Sequence, residues 1–146
     1  MIIAKILKQK QLGTEVVSVA PEDTVLAAAR TLTQHRIGAA LVRDPAGAIL
    51  GIISERDIVR GMAGHGQGTT TLPVREFMTA DLVTVTPQMP VTHALALMTR
   101  RRIRHLPVLE DGKLLGLVSI GDLVKARIDE AEFEAESLKA YVASAG

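Results

Sequence analysis

The spacing of hydrophobic residues along this chain changes between the alternation typical of β-strands and the three-to-four-residue spacing typical of α-helices. The same order of spacings occurs in both halves. The first half predicts five elements: a strand at 15–19, a helix from Pro21 to about His35, strands at 38–43 and 48–53 joined by a turn at 44–47, and a helix from Glu55 to about Met62. The second half predicts the same series: a strand near 82–85, a helix near 90–101, strands at 104–109 and 113–118 joined by a turn at 110–112, and a helix from Gly121 to about Val142. Each half therefore reads β-α-β-β-α.

The two halves also share residues at a nearly constant spacing. Residues that return 66 positions later include Val17, Pro21, Val25, Arg36 and Val42, which return as Val83, Pro87, Val91, Arg102 and Val108. After a turn that is one residue shorter the spacing becomes 65, and Gly51, Ser54, Asp57 and Val59 match Gly116, Ser119, Asp122 and Val124. Because a repeated unit determines the architecture, we expect a mixed α/β (α+β) fold of two pseudo-symmetric repeats.

The repeats suggest how the chain divides. We expect an N-terminal helical lead at 1–13, a first repeat at 14–64, a linker and second helical lead at 65–79, a second repeat at 80–128 and a helical extension at 129–146. The glycine-rich stretch at 61–71 invites comparison with a phosphate-binding loop. It follows a helix, has no Lys-Ser or Lys-Thr after its glycines, and leads to Pro73, so we interpret it as the linker.

Composition excludes several classes of function. A net charge of +1 and an aromatic content of 2% offer little to nucleic acid. The chain has no cysteine, and its four histidines do not have the spacing of a metal site, so we predict no metal. The N-terminus is interrupted by lysines too early for a signal peptide, and no apolar run is long enough to span a membrane, so we expect a cytoplasmic protein.

The last predicted helix carries an apolar stripe beyond the end of the repeat. Its members recur at spacings of four and three residues: Val124, Ile128, Ala131, Ala135, Leu138 and Val142. One interpretation is that the stripe packs on its own domain. The other is that it contacts a second subunit, because an appended helix otherwise leaves apolar surface exposed.

The residues of chemical interest are two Ser-x-x-Asp boxes, Ser54 with Asp57 and Ser119 with Asp122, each placed between a buried strand and a helix. Such a box caps a helix, since the serine oxygen and the carboxylate bond orphan amides. The same geometry also suits a ligand. A helix N-terminus attracts phosphate, and a carboxylate accepts hydrogen bonds from the vicinal hydroxyls of a ribose. Ribose with phosphate indicates a nucleotide.

The tandem β-α-β-β-α units, the Val-Ser/Thr-Val-x-Pro openings, the segment at 104–108 and the two Gly-x-x-Ser-x-x-Asp closings resemble a pair of CBS (cystathionine β-synthase) domains, a Bateman module, over nearly the whole chain. The resemblance implies two repeats packed with pseudo-twofold symmetry, clefts that bind AMP, ADP, ATP or NAD(H), and pairing into a flat homodimer. It also implies a non-catalytic regulator or energy sensor that acts on an unknown protein.

The resemblance also implies roles for individual residues. Asp57 and Asp122 would hold ribose hydroxyls, with Ser54 and Ser119 close by. The opening strand of the opposite repeat would complete each pocket, which pairs Val83 and Thr84 with Asp57, and Val17 and Ser18 with Asp122. Further residues would flank the adenine ring, bind phosphate or line the cleft: Ile37, Arg56, Ile103, Arg104, His105 and Pro107.

Some residues depart from this pattern or have simpler explanations. The first repeat lacks the basic pair and the proline of 104–108, and the second has Ile120-Gly121 in place of Glu55-Arg56, so the two clefts are chemically unequal. Arg56 is equally explained as a solvated residue at a helix start, and the arginines at 100–102 complement the dipole at a helix end. The alternatives to a nucleotide sensor are a constitutive dimeric interaction scaffold and, less favoured, a nucleotide hydrolase.

Overall fold

The computed structural model of the chain describes residues 1–10 and 16–145. Its helices and strands, in chain order, are α1 (Ile3–Lys10), β1 (Ser18–Val19), α2 (Val25–His35), β2 (Ala39–Arg43), β3 (Ile49–Ser54), α3 (Glu55–His65), α4 (Val91–Arg101), β4 (His105–Glu110), β5 (Lys113–Ser119) and α5 (Ile120–Ala145). This is the mixed α/β architecture expected from the sequence. The predicted end of the first helix at Gly13 and the predicted strand start at Glu15 lie outside the described residues.

The chain forms two compact units, and one of them is discontinuous in sequence. The first repeat lies in the unit formed by Val16–Leu82, whereas residues 1–10 belong with 83–145. Each unit has its own apolar core. Helix α1 is therefore part of the unit that contains the second repeat.

Corresponding helices of the two repeats end in the same way. The residue that follows α2, Arg36, has φ of 54°, and the residue that follows α4, Arg102, has φ of 53°. Both residues are in the left-handed region, and the backbone N–H of each donates to carbonyls of the last helical turn. The helix starts differ, since Thr24 caps α2 by accepting a hydrogen bond from the backbone N–H of Ala27 at 3.1 Å, whereas Pro90 precedes α4.

In the unit of the first repeat, β1 pairs in parallel with β2, and β2 pairs antiparallel with β3. Leu41 N donates to Val17 O at 3.2 Å, which extends the parallel pairing beyond the two residues of β1. The helices cover this sheet with apolar side chains, so the core contains Ala28, Leu32 and Val42.

In the other unit β4 pairs antiparallel with β5, and the strand expected near 82–85 is reduced to one parallel bridge between Val85 and Val108. Val85 N donates to Pro107 O at 3.0 Å, and Leu109 N donates to Val85 O at 2.9 Å. Pro107 occupies the position of Leu41 in the first repeat and has no N–H to donate to the carbonyl of Val83. The prediction of a strand here was wrong for that reason.

The two helical leads enter the units by equivalent bonds. Ile3 N donates to Met89 O at 3.0 Å, and in the other unit Val74 N donates to Asp23 O at 2.8 Å. The side chains of Ile3 and Val74 are both fully buried. The lead that precedes each repeat in sequence therefore packs within the unit of the other repeat.

The glycine-rich stretch is folded rather than extended. Helix α3 runs to His65, three residues beyond the expected end, and Gly66–Thr71 form a 3-10 helix. The buried hydroxyl of Thr69 lies 3.1 Å from Gly61 O and 2.8 Å from Gly66 O, and holds the two segments together.

Helix α5 leaves the body of its unit after about three turns. Leu123 and Ala126 are buried, whereas every residue from 131 to 145 is exposed. The interpretation that the whole apolar stripe packs on its own domain was therefore wrong. Within 1–10 and 16–145, no helix combines the length and the apolar character needed to cross a bilayer.

Candidate functional site

The first Ser-x-x-Asp box is a complete capping box at the start of α3. The N–H of Asp57 donates to Ser54 Oγ at 3.1 Å, and Asp57 Oδ2 accepts from the N–H of Ser54 at 2.9 Å. The Ser54 hydroxyl also donates to Asp57 Oδ2, at 3.0 Å. Asp57 is 7% exposed, so its carboxylate is held almost entirely by protein donors at a helix N-terminus.

The other oxygen of Asp57 has a partner that the sequence analysis missed. The hydroxyl of Thr79 donates to Asp57 Oδ1 at 3.2 Å. Thr79 is brought there by two backbone hydrogen bonds with Ile52, at 2.8 and 3.0 Å. It lies 22 residues from Asp57, in the second helical lead, so a local motif gives no sign of it.

The second box repeats the local geometry at the start of α5. Asp122 N donates to Ser119 Oγ at 3.1 Å, and Ser119 N donates to Asp122 Oδ2 at 2.9 Å. Its additional partner is a cation rather than a hydroxyl. Lys10 Nζ lies 2.6 Å from Asp122 Oδ2 and 3.0 Å from Leu117 O. Lys10 is the last residue of α1, which packs beside β5, and the sequence analysis did not single it out.

Two opposing effects act on the pKa of Asp122. Burial raises the pKa of this half-buried carboxyl, while the hydrogen bonds from Lys10 and Ser119 and the positive charge of Lys10 lower it. The lowering effects together prevail, and the pKa lies below its ordinary value of 3.8. Asp122 is therefore ionised at neutral pH.

The two boxes thus share one local design and differ in what faces the carboxylate. Asp57 faces the neutral hydroxyl of Thr79, and Asp122 faces the ammonium of Lys10. A sugar hydroxyl is the same type of donor as the Thr79 hydroxyl, so it can replace it without separating two charges. At Asp122 a sugar hydroxyl would have to displace or share an ion pair. The two boxes are therefore chemically unequal in these partners, while the inequality of the clefts expected from residues 55–56 and 104–108 stays a prediction.

The apolar residues proposed to flank a ring lie at the edges of the two cores. Val17 and Ile37 are partly buried against the core of one unit, and Val83 and Ile103 against that of the other. Ser18 and Thr84 are exposed in the opening segments. Their assignment to the box of the opposite repeat stays a prediction.

The residues proposed for phosphate differ in exposure. Arg56 and Arg104 are exposed, and the carbonyl of Arg104 accepts from Ile120 N at 2.8 Å at the start of α5. His105 is half-buried and pairs in register with Ser119, which places it beside the second box. Pro107 is buried in β4, where it lacks the N–H that would bond the carbonyl of Val83. Among the described residues, no cluster of His, Asp or Glu side chains is arranged to hold a metal ion.

The chain is similar to known proteins in sequence. The family model described as CBS domain matches the chain twice, over residues 10–64 and 74–129. A mitochondrial CBS domain-containing protein of Arabidopsis thaliana, CBSX3, is 42% identical over 125 residues, which are 83% of this chain and 61% of that protein. The chain thus spans less than two thirds of that relative.

Solved structures are similar as well. The crystal structure of the CBS-domain containing protein ATU1752 from Agrobacterium tumefaciens is 40% identical, has a TM-score of 0.83, and matches over 86% of this chain and 92% of that one. The CBS domain protein PAE2072 from Pyrobaculum aerophilum, complexed with AMP, is 27% identical with a TM-score of 0.71, over 84% and 89% of the two chains.

Proposed function

The chain belongs to the CBS domain family, and from this premise we propose that it is a non-catalytic regulatory module that binds an adenine nucleotide. The observation that carries the proposal is the buried carboxylate of Asp57, which stands at a helix N-terminus and faces a hydroxyl donor. The AMP bound by the Pyrobaculum protein supports the ligand class. AMP, ADP and ATP are the leading candidates, and NAD(H) shares their adenosine part.

In the proposed complex each box supplies the same two contacts. The carboxylates of Asp57 and Asp122 accept hydrogen bonds from the ribose hydroxyls, and the serine hydroxyls and the positive ends of the two helix dipoles face the phosphate. Arg56, Arg104 and His105 add positive charge or hydrogen-bond donors for the phosphate oxygens. The ligand acts by favouring one conformation of the module over another, and thereby one surface for a regulated protein.

The alternative function is a constitutive interaction scaffold. It is favoured by one observation: the capping bonds of both boxes are complete within the chain, so the boxes serve the fold without a ligand. We also propose that the module works as a homodimer, which either function accommodates. The expected cytoplasmic location stays a prediction.

Isothermal titration of the full chain with AMP, ADP, ATP and NADH in parallel tests the nucleotide proposal. We expect saturable binding of at least one of them, weakened at least about tenfold by Asp57→Ala, since two charge-assisted hydrogen bonds are lost. Asp23→Ala is a matched control, because it also removes a carboxylate bonded to a backbone amide, Ala20 N at 3.0 Å, in the same unit.

The outcomes separate the two functions. Binding lost in Asp57→Ala and retained in Asp23→Ala, with both variants folded by circular dichroism, supports the ribose contact. Binding that survives both Asp57→Ala and Asp122→Ala contradicts it. A folded protein that binds none of the four nucleotides favours the scaffold.

A further inference from the structure

Helix α5 presents an apolar face that its own unit does not cover. Leu123 and Ala126 point into the core, and Glu130, one turn further, is half-buried. The apolar stripe lies on the other side of the helix. Its large members are 43–64% exposed: Val124, Ile128, Leu138 and Val142. Monomeric proteins rarely leave such a continuous apolar surface in water, so the stripe is expected to contact a partner.

The stripe has the spacing of a coiled-coil seam. With the heptad positions lettered a to g, Ile128, Ala135 and Val142 are at a, and Val124, Ala131 and Leu138 are at d. Alanines at the two central positions allow close approach of a second helix. The buried residues Leu123 and Ala126 are at c and f, so contact with the unit and contact with a partner helix use different faces.

The charged residues beside the seam indicate the orientation of the partner. Positions g are Arg127, Glu134 and Tyr141, and positions e are Lys125, Glu132 and Lys139. In a parallel pair of identical helices, each g residue meets the e residue five positions later on the partner. Arg127 then meets a glutamate and Glu134 meets a lysine, so both contacts are attractive. Arg127 also lies 3.3 Å from Glu130 of its own helix, and its five N–H donors can serve both carboxylates.

An antiparallel pair of the same helices is disfavoured. Residues at g then meet g, and residues at e meet e. The antiparallel register that brings the apolar positions of the two helices together has its centre at Phe133. In this register Glu134 meets Glu134 of the other helix, Glu132 meets Glu132, and Lys139 meets Lys125. All three contacts are repulsive.

We propose that two copies of this chain associate through α5, in parallel and in register, as a short two-stranded coiled coil over residues 124–145. The occupant of the apolar face is thus a second copy. This inference rests on the homodimer part of the proposed function and is independent of the ligand.

Sedimentation equilibrium of the full chain over a range of concentrations tests whether the apolar stripe of α5 forms the dimer interface. We expect a dimer, and we expect Leu138→Glu to raise its dissociation constant at least about tenfold, because it places two carboxylates in the seam. Ser137→Glu is the matched control. It adds the same charge at the neighbouring exposed position, which faces away from the seam, and we expect it to leave the dimer intact.

Cross-linking tests the orientation. The chain contains no cysteine, so one introduced thiol is a unique reporter. In the parallel pair the two copies of residue 142 face each other, and Val142→Cys alone forms a disulfide-linked dimer on mild oxidation. In an antiparallel pair residue 142 faces residue 124, and cross-linking needs a mixture of Val142→Cys and Val124→Cys. The charge change Lys139→Glu weakens a parallel dimer, since Glu134 then meets a glutamate, and strengthens an antiparallel one.

Each outcome has a distinct meaning. A dimer that is broken by Leu138→Glu and linked through Val142→Cys supports the proposal. A dimer that persists in Leu138→Glu shows that α5 is not the interface, while the homodimer proposal stands. A chain that is monomeric throughout the range overturns both.

Discussion

Lys10 Nζ lies 2.6 Å from Asp122 Oδ2 and joins the end of α1 to the second Ser-x-x-Asp box, 112 residues away in the chain. The ammonium also donates to Leu117 O in the strand that leads into the box. The lysine side chain is 40% exposed and the aspartate side chain 25%, so water partly screens the pair. The interaction thus links the position of α1 to the charge and availability of a candidate ligand group.

The first prediction concerns pH. Because the pKa of Asp122 is lowered in the folded state, the stability that this carboxylate contributes is present above its ordinary value of 3.8 and is lost as the pH falls through the lowered folded value. We expect Lys10→Met to lower the free energy of unfolding by no more than about 1 kcal/mol at neutral pH, and by less as Asp122 becomes protonated. Urea unfolding at a series of pH values measures this. Lys8→Met, on the same helix, is the control, and a difference that is constant with pH would contradict the prediction.

The second prediction separates the two boxes. If Asp122 accepts ribose hydroxyls, Lys10 competes with them, whereas Thr79 at Asp57 is a neutral and weaker competitor. Adenosine lacks phosphate and gains nothing from the lysine charge. We expect Lys10→Met to strengthen adenosine binding at the second box up to about fivefold, the equivalent of a partly exposed ion pair. Calorimetric titration of Lys10→Met with adenosine, in an Asp57→Ala background, isolates this box. Unchanged or weaker adenosine binding would contradict competition between Lys10 and the ribose hydroxyls.

The third prediction compares two glycines at equivalent positions of the repeats. A Cβ at Gly51 would lie 2.6 Å from the backbone oxygen of Thr79, whereas one at Gly116 would lie 2.7 Å from Leu7 Cδ2, the tip of a side chain that can rotate. We expect Gly51→Ala to destabilise the fold by about 2–3 kcal/mol and Gly116→Ala by about 1 kcal/mol or less. Denaturant unfolding gives both values, and equal losses would show that the lead containing Thr79 moves as easily as a side chain.

The fourth prediction concerns the left-handed end of α2. Arg36 has φ of 54°, where a Cβ is strained and glycine is not. We expect Arg36→Gly to stabilise the protein by about 0.5–1 kcal/mol. Arg30→Gly makes the same substitution inside the helix and should cost about 1 kcal/mol. Thermal and urea unfolding measure the change in stability of each variant, which we expect to be a gain for Arg36→Gly and a loss for Arg30→Gly. A loss of stability in both would contradict backbone strain at Arg36.

Local patterns in the sequence were sufficient for the parts of the site that depend on near neighbours. The bonds between Ser54 and Asp57 span three residues, so the box and its helix start follow from residue type and spacing alone. The repeat order and most element bounds were predictable for the same reason. The strand before Pro87 was overpredicted, because the alternating residues at 82–85 do not show that their pairing partner is a proline.

The contacts that distinguish the two boxes were not predictable in this way. Lys10 and Thr79 reach Asp122 and Asp57 only because each lead packs within the unit of the other repeat. Spacing in the sequence does not reveal such an exchange. Nor did composition show that the apolar stripe of α5 would remain uncovered, since that depends on where the body of the unit ends.

The position of α1 also bears on how the chain folds during synthesis. This helix is made before the first repeat, yet the residues that bury Ile3, Ile6 and Leu7 belong to the second repeat and are made about a hundred residues later. The intervening unit, Val16–Leu82, is contiguous and has all of its partners within reach as soon as it emerges. The nascent chain therefore carries an uncovered apolar helix until the second repeat has been made.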